Sequence, residues 1–175
     1  MRTQTSLFNI IKVILLTTTL IFIMNVVQAQ QPAFIGTFKL AEKTILAGTD
    51  YANAIPETVK FTEAPGKITV ERTEVATDGN TVAPTSTEQL ITEPGKAVAG
   101  TTADNRKIKT VAVLNGTALT ETKEITVPAL ETLAFRIREV STLSDDGKTL
   151  TLVKTFESLS DPNDKWSVKG IYVKQ

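Results

Sequence analysis

The sequence predicts an all-β fold: an up-and-down antiparallel meander closed into a barrel of eight to ten strands. Three observations predict it. Period-2 alternation of apolar and polar residues covers nearly all of the chain after residue 30. Turn-plus-Gly pairs separate successive alternating runs at Pro65-Gly66, Asp78-Gly79, Asn115-Gly116 and Asp146-Gly147, and such pairs are the strongest short-range sign of a hairpin. No segment of helical length shows a 3.6-residue period. Successive strands joined by short turns pair with their neighbours, and an open meander of this length leaves two sheet edges that closure removes. An open sandwich is the alternative.

Residues 1–29 read as a cleavable export signal. Arg2 and Lys12 supply a positive start, Val13 to Met24 an apolar stretch, and Val27-Gln28-Ala29 a small-residue cleavage site. The alternative is a retained anchor, but the apolar stretch falls short of the roughly 20 residues that span a bilayer. Thr17 to Thr19 weaken it further. The expected mature start is Gln30, and residues 30–175 form a single domain. The expected location is secreted or periplasmic, without membrane insertion after cleavage. The absence of Cys removes any site for lipid attachment.

The strands follow in order. Phe34 to Leu40 opens the chain, with Phe34, Gly36, Phe38 and Leu40 on one face. Ala41 to Pro56 has no clean period; it predicts an irregular first connection, with room for a helical turn at its start, and its length suggests a flap or lid. Thr58 to Glu63 and Lys67 to Val75 flank Ala64-Pro65-Gly66. Thr81 to Ile91 carries Pro84 near its start, which predicts an edge or a bulge there. Ala97 to Thr102 is a strand if it finds a partner. Arg106 to Leu114 and Thr117 to Val127 form a hairpin around Asn115-Gly116, expected as a type I′ turn. After Pro128-Ala129 come Glu131 to Thr142, Lys148 to Glu157 and Lys165 to Lys174.

Composition excludes several classes. Without Arg2 and Lys12 the chain holds 17 basic against 19 acidic residues, a net charge of −2 with no basic block. That balance argues against nucleic acid and anionic membrane surfaces as partners. Zero Cys leaves burial and sheet pairing to supply stability. Zero His removes the usual general base, the Ser-His-Asp and Cys-His nucleophile systems, and the commonest metal ligand. Any enzyme here runs on carboxylates, Lys or Tyr. No cofactor is expected.

Ala33-Phe34-Ile35-Gly36-Thr37-Phe38-Lys39-Leu40 resembles the opening strand of the calycin barrels, the lipocalins and fatty-acid-binding proteins, which begin with a Gly-x-Trp element. Phe38 stands where the aromatic belongs. Leu143-Ser144-Asp145-Asp146-Gly147-Lys148-Thr149-Leu150-Thr151 resembles a bacterial exported family described as lipocalin-like. The resemblance implies a lipocalin-like barrel over residues 30–175, closed at one end by Phe38, with an interior cavity. It also implies a basic residue near the chain end against the opening aromatic, at Lys169 or Lys174. Fatty-acid-binding proteins carry an Arg-x-Tyr pair in the last strand; the matching positions here read Gly170-Ile171-Tyr172. The Tyr is present and the Arg is absent, so that carboxylate clamp is not expected.

Parity gives the candidate site. If Ile68 and Val70 point inward, so do Arg72 and Glu74; if Leu133, Phe135 and Ile137 do, so does Glu139. Lys154 lies between Leu152 and Phe156 on one face, and Trp166, Val168, Gly170 and Tyr172 share another. The alternative is that a bulge flips the parity, or that these charges lie at a solvated barrel mouth. Otherwise Arg72, Glu139 and Lys154 face a wet interior and meet a ligand's polar head, with Phe38, Trp166 and Tyr172 lining the apolar part. Asp145-Asp146-Gly147 and Asp161-Pro162-Asn163-Asp164 lack the alternating oxygen pattern of a calcium loop and read as turns. Three functions are compatible with this: a non-catalytic module binding a small apolar or amphipathic ligand, a packed structural or interaction barrel of the cell envelope, and a histidine-free isomerase or cyclase. The first is the leading expectation. The sequence carries no sign of oligomeric state.

Overall fold

The computed structural model describes residues 33–51, 54–75, 84–102, 105–127 and 132–175. The expected export signal, the Gln30 start and the Asp78-Gly79 and Pro128-Ala129 turns lie outside the described residues.

The described chain is all β and contains no helix. Its strands are β1 (Gly36–Ala47), β2 (Thr58–Ala64), β3 (Lys67–Thr73), β4 (Thr85–Ile91), β5 (Ala97–Thr101), β6 (Lys107–Asn115), β7 (Ala118–Val127), β8 (Thr132–Leu143), β9 (Thr149–Ser158) and β10 (Lys165–Lys174). All ten join one antiparallel sheet in the order β4-β3-β2-β1-β10-β9-β8-β7-β6-β5. β1 pairs with both β2 and β10, which brings the two ends of the meander together. The sheet thus curls into a nearly closed barrel rather than a sandwich. Ala97–Thr101 does find its partner, β6. β4, which starts right after Pro84, lies at one end of the order and β5 at the other. They meet across a gap without a backbone ladder.

Two local expectations need correction. The segment after Leu40 is not irregular: β1 continues to Ala47. A bulge at Ala41 shifts the register between Leu40 and Glu42, and one extra residue suffices to erase period-2 alternation. The second correction concerns the β6–β7 hairpin. Asn115 pairs with Ala118, so the two-residue tip is Gly116-Thr117, not Asn115-Gly116. Positive φ occurs at Gly116 (59°) and not at Thr117, the pattern of a II′ rather than a I′ turn. This register pairs Leu114 with Leu119, and the latter is buried. The two Asp-containing segments are turns: Asp146 Oδ1 accepts from Lys148 N at 3.0 Å and Asp161 Oδ1 from Asn163 N at 2.9 Å.

One end of the barrel is packed solid. Phe38 is fully buried, 5.2 and 6.1 Å separate the ring centroids of Phe34–Phe61 and Phe38–Phe61, and both pairs meet edge to face. Ile68, Leu90, Leu150 and Tyr172 fill the same core. Of the two candidate basic residues it is Lys174 that lies over the opening aromatic, its Nζ 5.7 Å from the Phe38 centroid. The β1–β2 connection is not a flap over the barrel in its described part. It inserts Ala54, Ile55 and Pro56, all buried, into the core.

Candidate functional site

Strand register stacks the inward residues of β8, β9 and β10 in tiers. Leu143, Leu150 and Tyr172 form the closed end, followed by Ser141, Leu152 and Gly170. Next come Glu139, Lys154 and Val168, then Ile137, Phe156 and Trp166. An apolar floor therefore passes into a charged tier and then into an aromatic rim. On β7 the same parity aims Leu119, Glu121 and Lys123 inward; on β3 it aims Ile68, Val70 and Arg72; on β4 it aims Glu88 and Leu90.

The charged tier is one connected network. Arg72 is 8% exposed, and its Nη2 donates to Glu121 Oε2 at 2.5 Å and to Glu139 Oε2 at 3.0 Å. Its Nη1 reaches Glu88 Oε2 at 3.4 Å. Lys123 Nζ lies 2.6 Å from Glu88 and 2.8 Å from Glu121. Lys154 Nζ lies 3.2 Å from Glu139 Oε1, its direct cross-strand partner. Glu88 also accepts from Thr110 of β6. These bonds join β3 and β4 to β6, β7 and β8, on the side where the backbone ladder is missing. Side-chain ion pairs thus tie the barrel together across its gap.

Burial makes the tier electrostatically asymmetric. It works to discharge Arg72, but Glu139, Glu121 and Glu88 outweigh it and hold the guanidinium's pKa above its ordinary value. Burial likewise opposes the Glu139 carboxylate, yet Arg72 and Lys154 overcome it and pull the carboxyl from 4.5 down to about 2. For Glu121 burial wins, assisted by the charge of Glu139 against the pull of Arg72, and its pKa is raised. Lys123 is opposed by burial but raised by Glu121.

A cavity of about 500 Å³ opens beside this network. Arg72, Glu74, Glu88, Lys123, Glu139 and Lys154 line it together with Ser86, Thr87, Thr101 and Ile108. β4 contributes Ser86, Thr87 and Glu88 and β5 contributes Thr101, so the cavity borders the gap. Arg72, Glu139 and Lys154 of the sequence-derived site meet here. Trp166 does not line the cavity; it stands at the rim in a run of rings, 5.6 Å from Phe156, which is 5.5 Å from Phe135. Tyr51 lies 5.7 Å from Trp166 on the other side. Phe38 and Tyr172 are core residues away from the cavity. The Tyr172 hydroxyl donates to Pro56 O at 2.8 Å, and burial followed by the charges of Glu139 and Glu74 pushes its pKa up. It has no spare donor for a ligand.

Glu121, Lys123 and Glu88 were missed from the sequence. The signal for the first two was available, since they alternate with Leu119 and Ile125 as Lys154 does with its neighbours. Among the described residues, no group of three or more acidic side chains is placed to hold a metal ion.

Gly170 occupies the position where the last-strand Arg of fatty-acid-binding proteins would fall. A Cβ there would lie 2.6 Å from Tyr172 Cε2 and 2.8 Å from Ile55 Cδ1. The inserted Ile55 has taken the space, so the chain is built against a side chain at this point.

No family model and no curated protein matches this sequence. Solved structures do match it in fold. A structure titled REP1-NXSQ fatty acid transporter superposes with a TM-score of 0.52 at 14% identity, covering 81% of this chain and 95% of its own. A fatty-acid-binding protein from Drosophila melanogaster brain tissue covers 81% and 99% at 16% identity, with a TM-score of 0.49. The protein therefore shares the barrel fold of the fatty acid transporter, and at 14% identity fold is all that this likeness shows.

Proposed function

We propose that the protein is a non-catalytic binding barrel for a small amphipathic ligand. The observation that carries this is the cavity of about 500 Å³ at the charged tier, beside the gap and beyond the sealed apolar floor. Its volume lies in the range of small-molecule sites, which combine a few convergent polar groups with apolar walls. The ligand's polar head enters the charged tier, and its apolar part lies against Phe135, Phe156 and Trp166. The fold shared with a fatty acid transporter supports the reading. The tier's charges serve binding and position, and the sequence has no His to act beside them as a general base. We further propose that the chain is exported, beginning at Gln30, on the strength of Val27-Gln28-Ala29. N-terminal sequencing of the extracytoplasmic fraction tests that; a product retaining residues before Ala29 overturns it.

A second reading is favoured by the mutual neutralisation within the charged tier: a barrel closed by its own ion pairs, acting through its outer surface. Native mass spectrometry of the protein from its own host separates the two. A co-purifying small molecule supports binding. Trp166, the single tryptophan, adds a direct probe because it sits in the rim. If no molecule co-purifies and Trp166 fluorescence ignores amphiphiles of every head charge, the structural reading stands.

A further inference from the structure

We infer that the cavity takes a cationic head group, an ammonium rather than a carboxylate, and that Glu74 is the residue that meets it. The inference rests on the binding reading above and names its ligand class. Each cation lining the cavity is already engaged: Arg72 by Glu88, Glu121 and Glu139, Lys123 by Glu88 and Glu121, and Lys154 by Glu139. The segments outside the described residues from 52 to 131 contain no further Lys or Arg.

Glu74 stands apart from this network. It lines the cavity two residues beyond Arg72, just past the end of β3, and its Oε2 is buried with no hydrogen-bond partner. A carboxylate oxygen sealed from water without a donor is costly. An ammonium supplies both the donor and the opposite charge, and charge-assisted bonds are the strong ones. An anion meets the reverse situation, with every lining cation committed and three carboxyl groups, Glu74, Glu88 and Glu139, in the wall. Two other buried atoms lack a hydrogen-bond partner among the described residues: Glu121 Oε1, which keeps the ion pair with Lys123 Nζ at 2.8 Å, and Arg72 Nε, a donor. Glu88, Glu121 and Glu139 surround that guanidinium, so a neutral acceptor such as a hydroxyl oxygen suits it better than an anion. Gly170 and the committed Tyr172 hydroxyl leave the last strand without a carboxylate clamp.

The test is titration of the protein with decylamine, decanol and decanoate below their micelle concentrations, read by calorimetry and Trp166 fluorescence. Decylamine is expected to bind at least about tenfold more tightly than decanol, with decanoate weakest. Glu74→Gln should erase the difference between amine and alcohol without lowering the melting temperature, because it removes an unpaired charge. Glu157→Gln, a control on the exposed outer face of β9, should leave the difference intact. Equal or tighter binding of decanol or decanoate overturns the inference while leaving the binding reading in place. So does an amine preference that survives Glu74→Gln. If none of the three binds, the binding reading itself falls and this inference falls with it.

Discussion

On β9, Leu150 and Leu152 are sealed in an apolar floor, while Lys154, the next inward residue, faces a polar cavity and an ion pair. On β3 the same step separates Val70 from Arg72. The two regions share strands and ladders and differ only in which side chains fill them. The floor is held by burial and ring packing, which do not depend on pH. The charged tier is held by paired charges, whose attraction mainly offsets the cost of removing them from water. Stability is therefore concentrated in the floor, while the tier connects strands across the gap and supplies chemistry. One β-barrel thus places stabilising burial and paired charge in adjacent layers.

The largest expected effect comes from the floor. Phe38→Ala removes a fully buried ring packed on Phe61 and should cost about 4 kcal/mol. In denaturant titrations that loss should be nearly constant between pH 4 and pH 7. A strongly pH-dependent loss would break the distinction between the layers.

Arg72→Met attacks the tier and should cost about 3 kcal/mol at neutral pH, because it leaves Glu121 and Glu139 buried against each other. Here the loss should vary with pH. The carboxyl of Glu139 is depressed from 4.5 to about 2, so its contribution is present above 4.5 and is lost as pH falls through that window. Glu121 is shifted the other way, and its contribution is present below 4.5 and lost as pH rises through its folded value. The gap between wild type and Arg72→Met should accordingly close as pH drops from 4.5 towards 2. A gap that stays constant across that range would show that the tier acts as packing alone.

Gly170→Ala tests the boundary between the layers. The added methyl meets the Tyr172 ring and Ile55, and overpacking should cost about 2 kcal/mol in thermal or chemical unfolding. No gain of fatty-acid binding should accompany it. The smallest stability effect should be that of Lys154→Met, under about 1 kcal/mol, since a side chain of similar volume fills the space and Glu139 keeps Arg72. Its consequence should appear in binding, as tighter retention of a cationic amphiphile. A variant neutral in both melting and binding would remove Lys154 from the site.

Much of this was legible in the sequence. Alternation and turn residues are local properties, so eight to ten strands in neighbour order could be read from spacing, with Ala97 to Thr102 left conditional on a partner, and parity alone aimed Arg72, Glu139 and Lys154 at one interior. What resisted reading was non-local or lay where one residue breaks a period. The bulge at Ala41 hid the second half of β1, and the II′ tip at Gly116-Thr117 depended on which cross-strand register buries Leu119. The pairing of Arg72 with Glu121, 49 positions away, depends on barrel curvature that no local pattern encodes. Glu88 reaches Lys123 of β7 only because closure of the barrel brings the two together across the gap. Nor could the sequence separate Tyr172 as core from Arg72 as cavity wall, because parity gives the face of a strand and not the depth along the barrel. Depth was decided by tertiary structure: Ile55 and Pro56 enter beside β10, fill one side of the interior and leave the cavity to the other. Period-2 patterning determined the strands and their faces because each side chain's direction follows from its own backbone. Only closure of the sheet determined which charges meet, because that distance is set by strands far apart in the chain.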